Sequence, residues 1–168
     1  NHINKKPVTF ESSLIFKPEK KSEFTKFTAI NNFLPSQKFN EITILRKFVI
    51  ELMDYEELIS VLQKNDHIKK KIAQIPEKNK QQFLFDYAKL FIIKNVETTE
   101  DELTEFDAND YVLTFNWHNK EESKDIIDKT LKLALINLEK SIFKEIENYL
   151  KIKKDRLVNE DTKRIRYL

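Results

Sequence analysis

The longest regular hydrophobic pattern in the chain is the C-terminal run 119–168, which contains no Pro and no Gly. Asn119, with Glu122 three positions later, predicts a helix N-cap with a capping box. Apolar residues then recur three or four positions apart, or at the sum of these spacings, and form a first stripe on one helix face: Ile127, Leu131, Ala134, Leu138, Ile142 and Tyr149. The pattern predicts one helix of about 75 Å, at about 1.5 Å per residue, longer than a compact domain of this size needs.

A second stripe on the same run repeats every seven residues and consists of Ile136, Phe143, Leu150 and Leu157. It lies well round the helix from the first stripe, which already supplies a core-facing side. The second stripe therefore requires another partner, either a further helix of the same protein or a neighbouring protomer. We predict an oligomer or partner interface at these four residues and favour the contact between subunits. Beyond Ile152 the apolar residues thin out, so the helix is predicted to leave the core.

The first two thirds of the chain predict a strand followed by several helices. Residues 7–16 read as a strand with Val8, Phe10, Leu14 and Phe16 on one face. Helical spacing follows over 20–34, then over 39–62 as one bent helix or two with a new N-cap around Asp54, and over 67–75. Pro76 suits the first turn of another helix, on which Phe83, Tyr87 and Leu90 share one side.

Two further strands precede the long helix. Residues 91–98 are β-like, the acidic segment 99–108 suits a loop, and Tyr111 to Trp117 alternates as a half-buried strand does. The order predicts an α+β fold, with a small few-stranded sheet packed with several helices and a long C-terminal helix projecting from the core. We expect a base domain over 1–118 and a long extended helix over 119–168, whose first part packs on the base.

Composition narrows the function classes. The 30 Lys and Arg nearly balance the 28 Asp and Glu, giving a net charge of +2, so no nucleic-acid partner is expected. The absence of Gly excludes phosphate-cradling and dinucleotide-binding loops, and that of Cys excludes thiolate chemistry. Without Gly, tight turns with positive φ are expected at the pairs Asn31-Asn32, Asn65-Asp66 and Asn109-Asp110.

The sequence indicates no reactive centre. His2, His67 and His118 are far apart, and none has a metal ligand at a useful spacing, so we interpret them as structural or surface residues. Acidic pairs occur where helix starts or solvated loops favour carboxylates. The many aromatic residues are typical of a Phe-rich core. We therefore predict no catalytic, cofactor-binding or metal-binding residues and no enzymatic activity.

Three segments resemble the periplasmic domain of the Wzz-type chain-length determinants, the polysaccharide co-polymerases that set O-antigen length. The first is the strand end Leu14-Ile15-Phe16-Lys17-Pro18, and the second is the helical segment 44–52 leading to Leu58-Ile59. The third is Tyr111-Val112-Leu113-Thr114-Phe115-Asn116-Trp117, followed by Glu121-Glu122-Ser123-Lys124-Asp125 and the long helix. The family has the same Tyr-x-x-x-Phe strand, a short turn and a helix that runs far from the membrane.

The resemblance implies a non-enzymatic regulator of surface-polysaccharide length in lipopolysaccharide biosynthesis, located at the bacterial inner membrane with this part in the periplasm. Its expected partners are copies of itself in a ring, a Wzy-type polymerase and the growing polysaccharide.

The chain departs from the family pattern in two ways. Trp117-His118 stands where the family often has Ala, and the returning helix, last strand and Pro-rich second membrane span are absent. A truncated piece or a divergent relative that is poor in Gly would explain both departures, and we expect a truncated piece of a protein that is membrane-anchored by other segments. The alternative hypothesis is a coiled-coil-type adaptor or scaffold that acts through its long helix.

Overall fold

The computed structural model describes residues 9–20, 25, 28–33, 39–96 and 109–166, with side chains as far as Glu160 in the last range. Its elements in chain order are β1 (Phe10–Phe16), α1 (Thr28–Phe33), α2 (Glu41–Met53), α3 (Glu56–Lys64), α4 (Asp66–Ile72), α5 (Glu77–Ala88), β2 (Phe91–Asn95), β3 (Tyr111–Trp117) and α6 (Lys120–Arg166). The predicted α+β class with a long C-terminal helix is confirmed. Val8, the segment 99–108 and much of the predicted helix 20–34 lie outside the described residues.

The sheet is antiparallel with strand order β1-β3-β2, so the strand that precedes α6 lies at its centre. Phe10 pairs with Trp117 and Phe16 with Tyr111, while Phe91 pairs with Phe115. Leu113, Phe115 and Trp117 on the inward face of β3 are at most 1% exposed. Phe10 lies on the same face but at the sheet edge, where its side chain keeps 44% exposure. The alternation predicted for β3 therefore has its physical basis in one buried sheet face.

A polar side-chain cap begins α2 but not α3. Asn40 caps α2, where its Oδ1 accepts from the Thr43 N–H at 2.8 Å and Thr43 Oγ1 accepts from the Asn40 N–H at 2.9 Å. Two helices occupy the range 39–62, and the second begins within the predicted segment Asp54-Tyr55-Glu56-Glu57, at Tyr55 rather than at Asp54. Asp54 ends α2, and Tyr55 precedes α3 without a side-chain cap bond. Separating the two helices lets each turn its own apolar face to the core.

The expected turns with positive φ are not found, because no described residue has positive φ. Asn31 and Asn32 lie within α1, and Asn65 is an extended N-cap of α4 with φ −72°. Asn31 instead holds the next segment, since its side chain bonds both the N–H and the C=O of Phe39, at 2.7 and 2.9 Å. Over its described part, the chain avoids left-handed backbone by placing Asn at caps rather than in tight turns.

The core consists of two adjoining clusters. The larger lies between the sheet, α3 to α5 and the start of α6, and it contains Phe91, Phe115 and Trp117. The smaller joins α2 to the middle of α6 through Phe48, Leu52, Ala134 and Leu138. On α5 the buried side chains are Leu84 and Ala88, flanked by the half-buried Phe83 and Tyr87. Leu90, predicted on that face, is 37% exposed because the helix ends at Ala88.

Candidate functional site

The first stripe of α6 packs on the base, as its spacing predicts. Ile127 belongs to the larger cluster and Ala134 and Leu138 to the smaller, while Leu131 contacts both. Among the described side chains of this helix, Tyr149 is the last that is half-buried, and every side chain from Leu150 to Glu160 is exposed. The α6 backbone continues to Arg166, about 25 Å beyond Tyr149 at about 1.5 Å per residue. The 47-residue helix thus begins in the core and then projects from it.

Polar contacts accompany the packed part of α6. Lys47 on α2 bonds the Glu145 carboxylate close to the point where the helix leaves the base. Closer to the N-terminus of α6, the Asn137 side chain donates to Glu57 Oε1 at 2.6 Å, and Glu57 is only 8% exposed. Ser12 on β1 and the fully buried Ser123 share a hydroxyl bond of 2.7 Å. These contacts connect α6 to three elements and define the orientation of its exposed face.

The four residues of the second stripe all lie on that exposed face. Ile136 is 46% exposed, Phe143 60%, Leu150 53% and Leu157 55%. At about 100° per residue, Phe143 lies about 140° round the helix from Leu138, so the two stripes cannot face one core. Leu135, Ile152 and Val158 are further exposed apolar residues of α6. Over the part of the chain that the structure describes, this column of four large apolar side chains on one projecting helix is an exposed surface of the kind that contacts other proteins.

The positions that would complete a two-stranded coiled-coil seam are mostly charged. A seam needs apolar residues at two positions of each heptad, three or four residues apart. If the second stripe supplies one of them, the companion positions are either Glu139, Ile146, Lys153 and Glu160 or Leu133, Lys140, Glu147 and Lys154. Only one residue in each set is apolar. The second stripe is therefore a single apolar column, which suits packing against a broader surface better than a symmetric helical zipper.

A second cluster was missed by the sequence analysis, because the fold brings together histidines that are 51 positions apart. His67 at the start of α4 and His118 after β3 have ring centroids 3.9 Å apart and planes inclined at 31°. Both side chains are half-buried. The stack agrees with the interpretation of His67 and His118 as structural residues, although their convergence was not expected, and His2 lies outside the described residues. Among the described residues, no three histidine, cysteine or carboxylate side chains converge to hold a metal ion.

Glu122 connects the histidine pair to the root of α6. Its Oε2 accepts from Trp117 Nε1 at 3.0 Å and lies 3.4 Å from His118 Nε2. The Glu122 N–H donates to Asn119 Oδ1 at 3.0 Å, so Asn119 is the N-cap acceptor that the sequence predicts. In the predicted capping box the Glu122 carboxylate would accept from the Asn119 N–H, but this carboxylate binds the Trp117 indole instead. No local signal in the sequence indicates this exchange, because the indole approaches only when β3 joins the sheet.

Comparison with known proteins identifies no family. The chain matches no protein-family model, and no curated protein sequence matches it significantly. No helix among the described residues combines the length and the apolar character needed to cross a membrane.

Proposed function

We propose that this chain is part of a non-enzymatic regulator of surface-polysaccharide chain length that acts as an oligomer through its long helix. The observation that carries the proposal is the exposed second stripe on a helix that rises from a small α+β base. Together with the Wzz-like pattern of strand, short turn and long helix, this favours copies of the chain standing side by side at the inner membrane. A Wzy-type polymerase and the growing glycan are the proposed further partners.

The shape of the second stripe supports packing between neighbouring copies in a closed ring. Ring contacts are heterologous, so the stripe of one copy meets a different surface of the next rather than itself. A single apolar column with charged companion positions suits such a contact, whereas a coiled-coil adaptor would need both seam positions to be apolar. The seven-residue repeat drifts about 20° per heptad around a straight helix. The second stripe, and the surface of the neighbouring copy that contacts it, would therefore wind around α6 in a left-handed sense.

The first experiment measures self-association of the double variant Phe143→Glu, Leu150→Glu by sedimentation velocity. We expect a shift towards monomer with helicity unchanged by circular dichroism, because both side chains are exposed in the single chain. The matched control is Asn148→Glu, Asn159→Glu, which adds the same charge at exposed α6 positions on another face. Equal self-association of the wild type and both variants would refute the interface, and loss of helicity in the first would assign the second stripe to the core.

The second experiment tests the glycan function with the parent gene. A gel of lipopolysaccharide from cells that make long glycan through a Wzy-type polymerase should show a clustered ladder, which becomes featureless on deletion. The gene carrying the Phe143 and Leu150 changes should fail to restore the clustering, whereas the Asn148 and Asn159 control should restore it. An unchanged ladder on deletion would refute length control of that glycan and favour the adaptor hypothesis.

A further inference from the structure

The histidine pair joins α4 to the root of the long helix. The Asn65 side chain caps α4 by accepting from the N–H groups of His67 and Ile68, at 2.9 and 3.1 Å, which fixes the His67 backbone. His67 then lies over His118 and presents its edge to Trp117, with ring centroids 6.2 Å apart. The fully buried Ile68 is the neighbouring contact of α4 with the larger cluster. The seven-residue α4 is thus held at its first turn by one apolar side chain and one imidazole stack.

The charged groups around the two imidazole rings favour one added proton over two. From α6, the Glu122 carboxylate faces His118. From α4 itself, the ammonium groups of Lys71 and Lys70 act on His67, and Lys71 Nζ also donates to the Tyr87 hydroxyl of α5 at 2.6 Å. Burial lowers the pKa of His67 most, and the neighbouring His118 and the lysines lower it further, while Glu122 acts in the opposite direction. A single carboxylate can compensate one imidazolium, but two stacked imidazolium rings repel each other.

We propose that His67 and His118 form a proton-sensitive contact that holds α4 against the root of α6 and loosens when both rings become protonated. With neutral rings, or with a single proton on the pair beside the Glu122 carboxylate, the stack is retained. A second proton places two cations at van der Waals distance beside Lys71. The weakest adjoining element is the short α4, so its first turn should move away from Trp117. This device is independent of the glycan function proposed above.

Two titrations of the wild-type chain between pH 8 and pH 5 provide the test. Histidine proton resonances should show His67 titrating below the ordinary value of 6.5, with His2→Gln used to assign the third histidine signal. Trp117 is the only tryptophan, so its fluorescence reports the site alone. Its emission maximum should shift to longer wavelength with the same midpoint as His67, because the indole gains contact with water when α4 moves.

Two variants distinguish the proposed electrostatic coupling between His67 and His118 from a role of the two rings in packing alone. In His118→Gln, the His67 midpoint should rise towards 6.5, because one positive neighbour is removed. In His67→Gln, which keeps a polar side chain of similar size, the red shift between pH 8 and pH 5 should disappear. A His67 midpoint that is ordinary in the wild type and unchanged by His118→Gln would overturn the proposal. Loss of intensity without a red shift would also overturn it, since the rings would then be protonated without loosening.

Discussion

Leu52 offers the sharpest test of whether the long helix and the base fold as one unit. It lies in the last turn of α2, is 1% exposed, and packs with Phe48 against Ala134 and Leu138 of α6. Leu52→Ala removes three buried carbon atoms at the junction between the base and the middle of the helix. The side chains of this cluster come from α2, α6 and the sheet, and the packing between these elements limits how far they can close the resulting cavity.

The expected loss in the free energy of unfolding is about 3 kcal/mol, within the range of about 2–5 kcal/mol for Leu→Ala in protein cores. For a chain of this size, each 1 kcal/mol lowers the melting temperature by about 2–4 °C, so a fall of about 6–12 °C is expected. Ile50→Ala is the matched control, because Ile50 is on the same helix but 66% exposed. Its effect should stay within about 0.5 kcal/mol.

Urea unfolding should be followed by circular dichroism, which reports mainly the helices, and by the fluorescence of Trp117 in the larger cluster. Because Leu52 lies in the smaller cluster, a parallel shift of both curves would show that the two clusters unfold together. A loss below about 1 kcal/mol would refute the packing argument. A shift in the helical signal without one in the Trp117 signal would show instead that α6 and the sheet unfold separately.

Two further substitutions test polar contacts of the same region by thermal unfolding. Asn137→Ala should lower the free energy of unfolding by about 1.5–3 kcal/mol, because it removes the side-chain amide that donates to Glu57 Oε1 at 2.6 Å. An unchanged melting temperature would contradict this. The pKa of Glu51 is raised above its ordinary 4.5, mainly by burial and then by the neighbouring carboxylates of Glu57 and Asp54. The folded state therefore loses stability as the pH rises through that raised value and Glu51 becomes charged. Glu51→Gln should therefore raise the melting temperature at pH 7, and the gain should vanish below about pH 4; an equal gain at both pH values would contradict the electrostatic cause.

Much of the fold could be predicted because the helices and strands have regular patterns and few Pro residues, and no Gly, interrupt them. The alternation over Tyr111–Trp117 and the helical spacing after Asn119 each identify one element and its buried face. The second stripe was found in the same way, and its exposure in the single chain agrees with a face that does not belong to the core. What it contacts stays a prediction, since one chain contains no information about the occupant of that face.

The expectations that failed depended on how segments meet. Of the predicted side of α5, only Leu90 is exposed, because the helix ends at Ala88; Phe83 and Tyr87 pack half-buried against the larger cluster beside the buried Leu84 and Ala88. The absence of Gly suggested left-handed Asn turns, whereas Asn40, Asn65 and Asn119 act as caps and Asn31 as a clamp on Phe39. Both outcomes are set by the volume and geometry of neighbouring elements, which a local pattern does not contain.

The sequence by itself determined the long helix, its N-cap at Asn119 and its two stripes, because periodicity and capping act over a few neighbouring residues. Only the tertiary structure decided that Glu122 would bind Trp117 and that His67 would stack on His118. The Trp117 indole takes its position when β3 joins the sheet, whereas the histidine stack forms when α4 packs against the strand–helix junction, and the separation of the two histidines along the chain gives no sign of it. Local physics determines the elements of this protein, and packing between distant segments determines its histidine cluster.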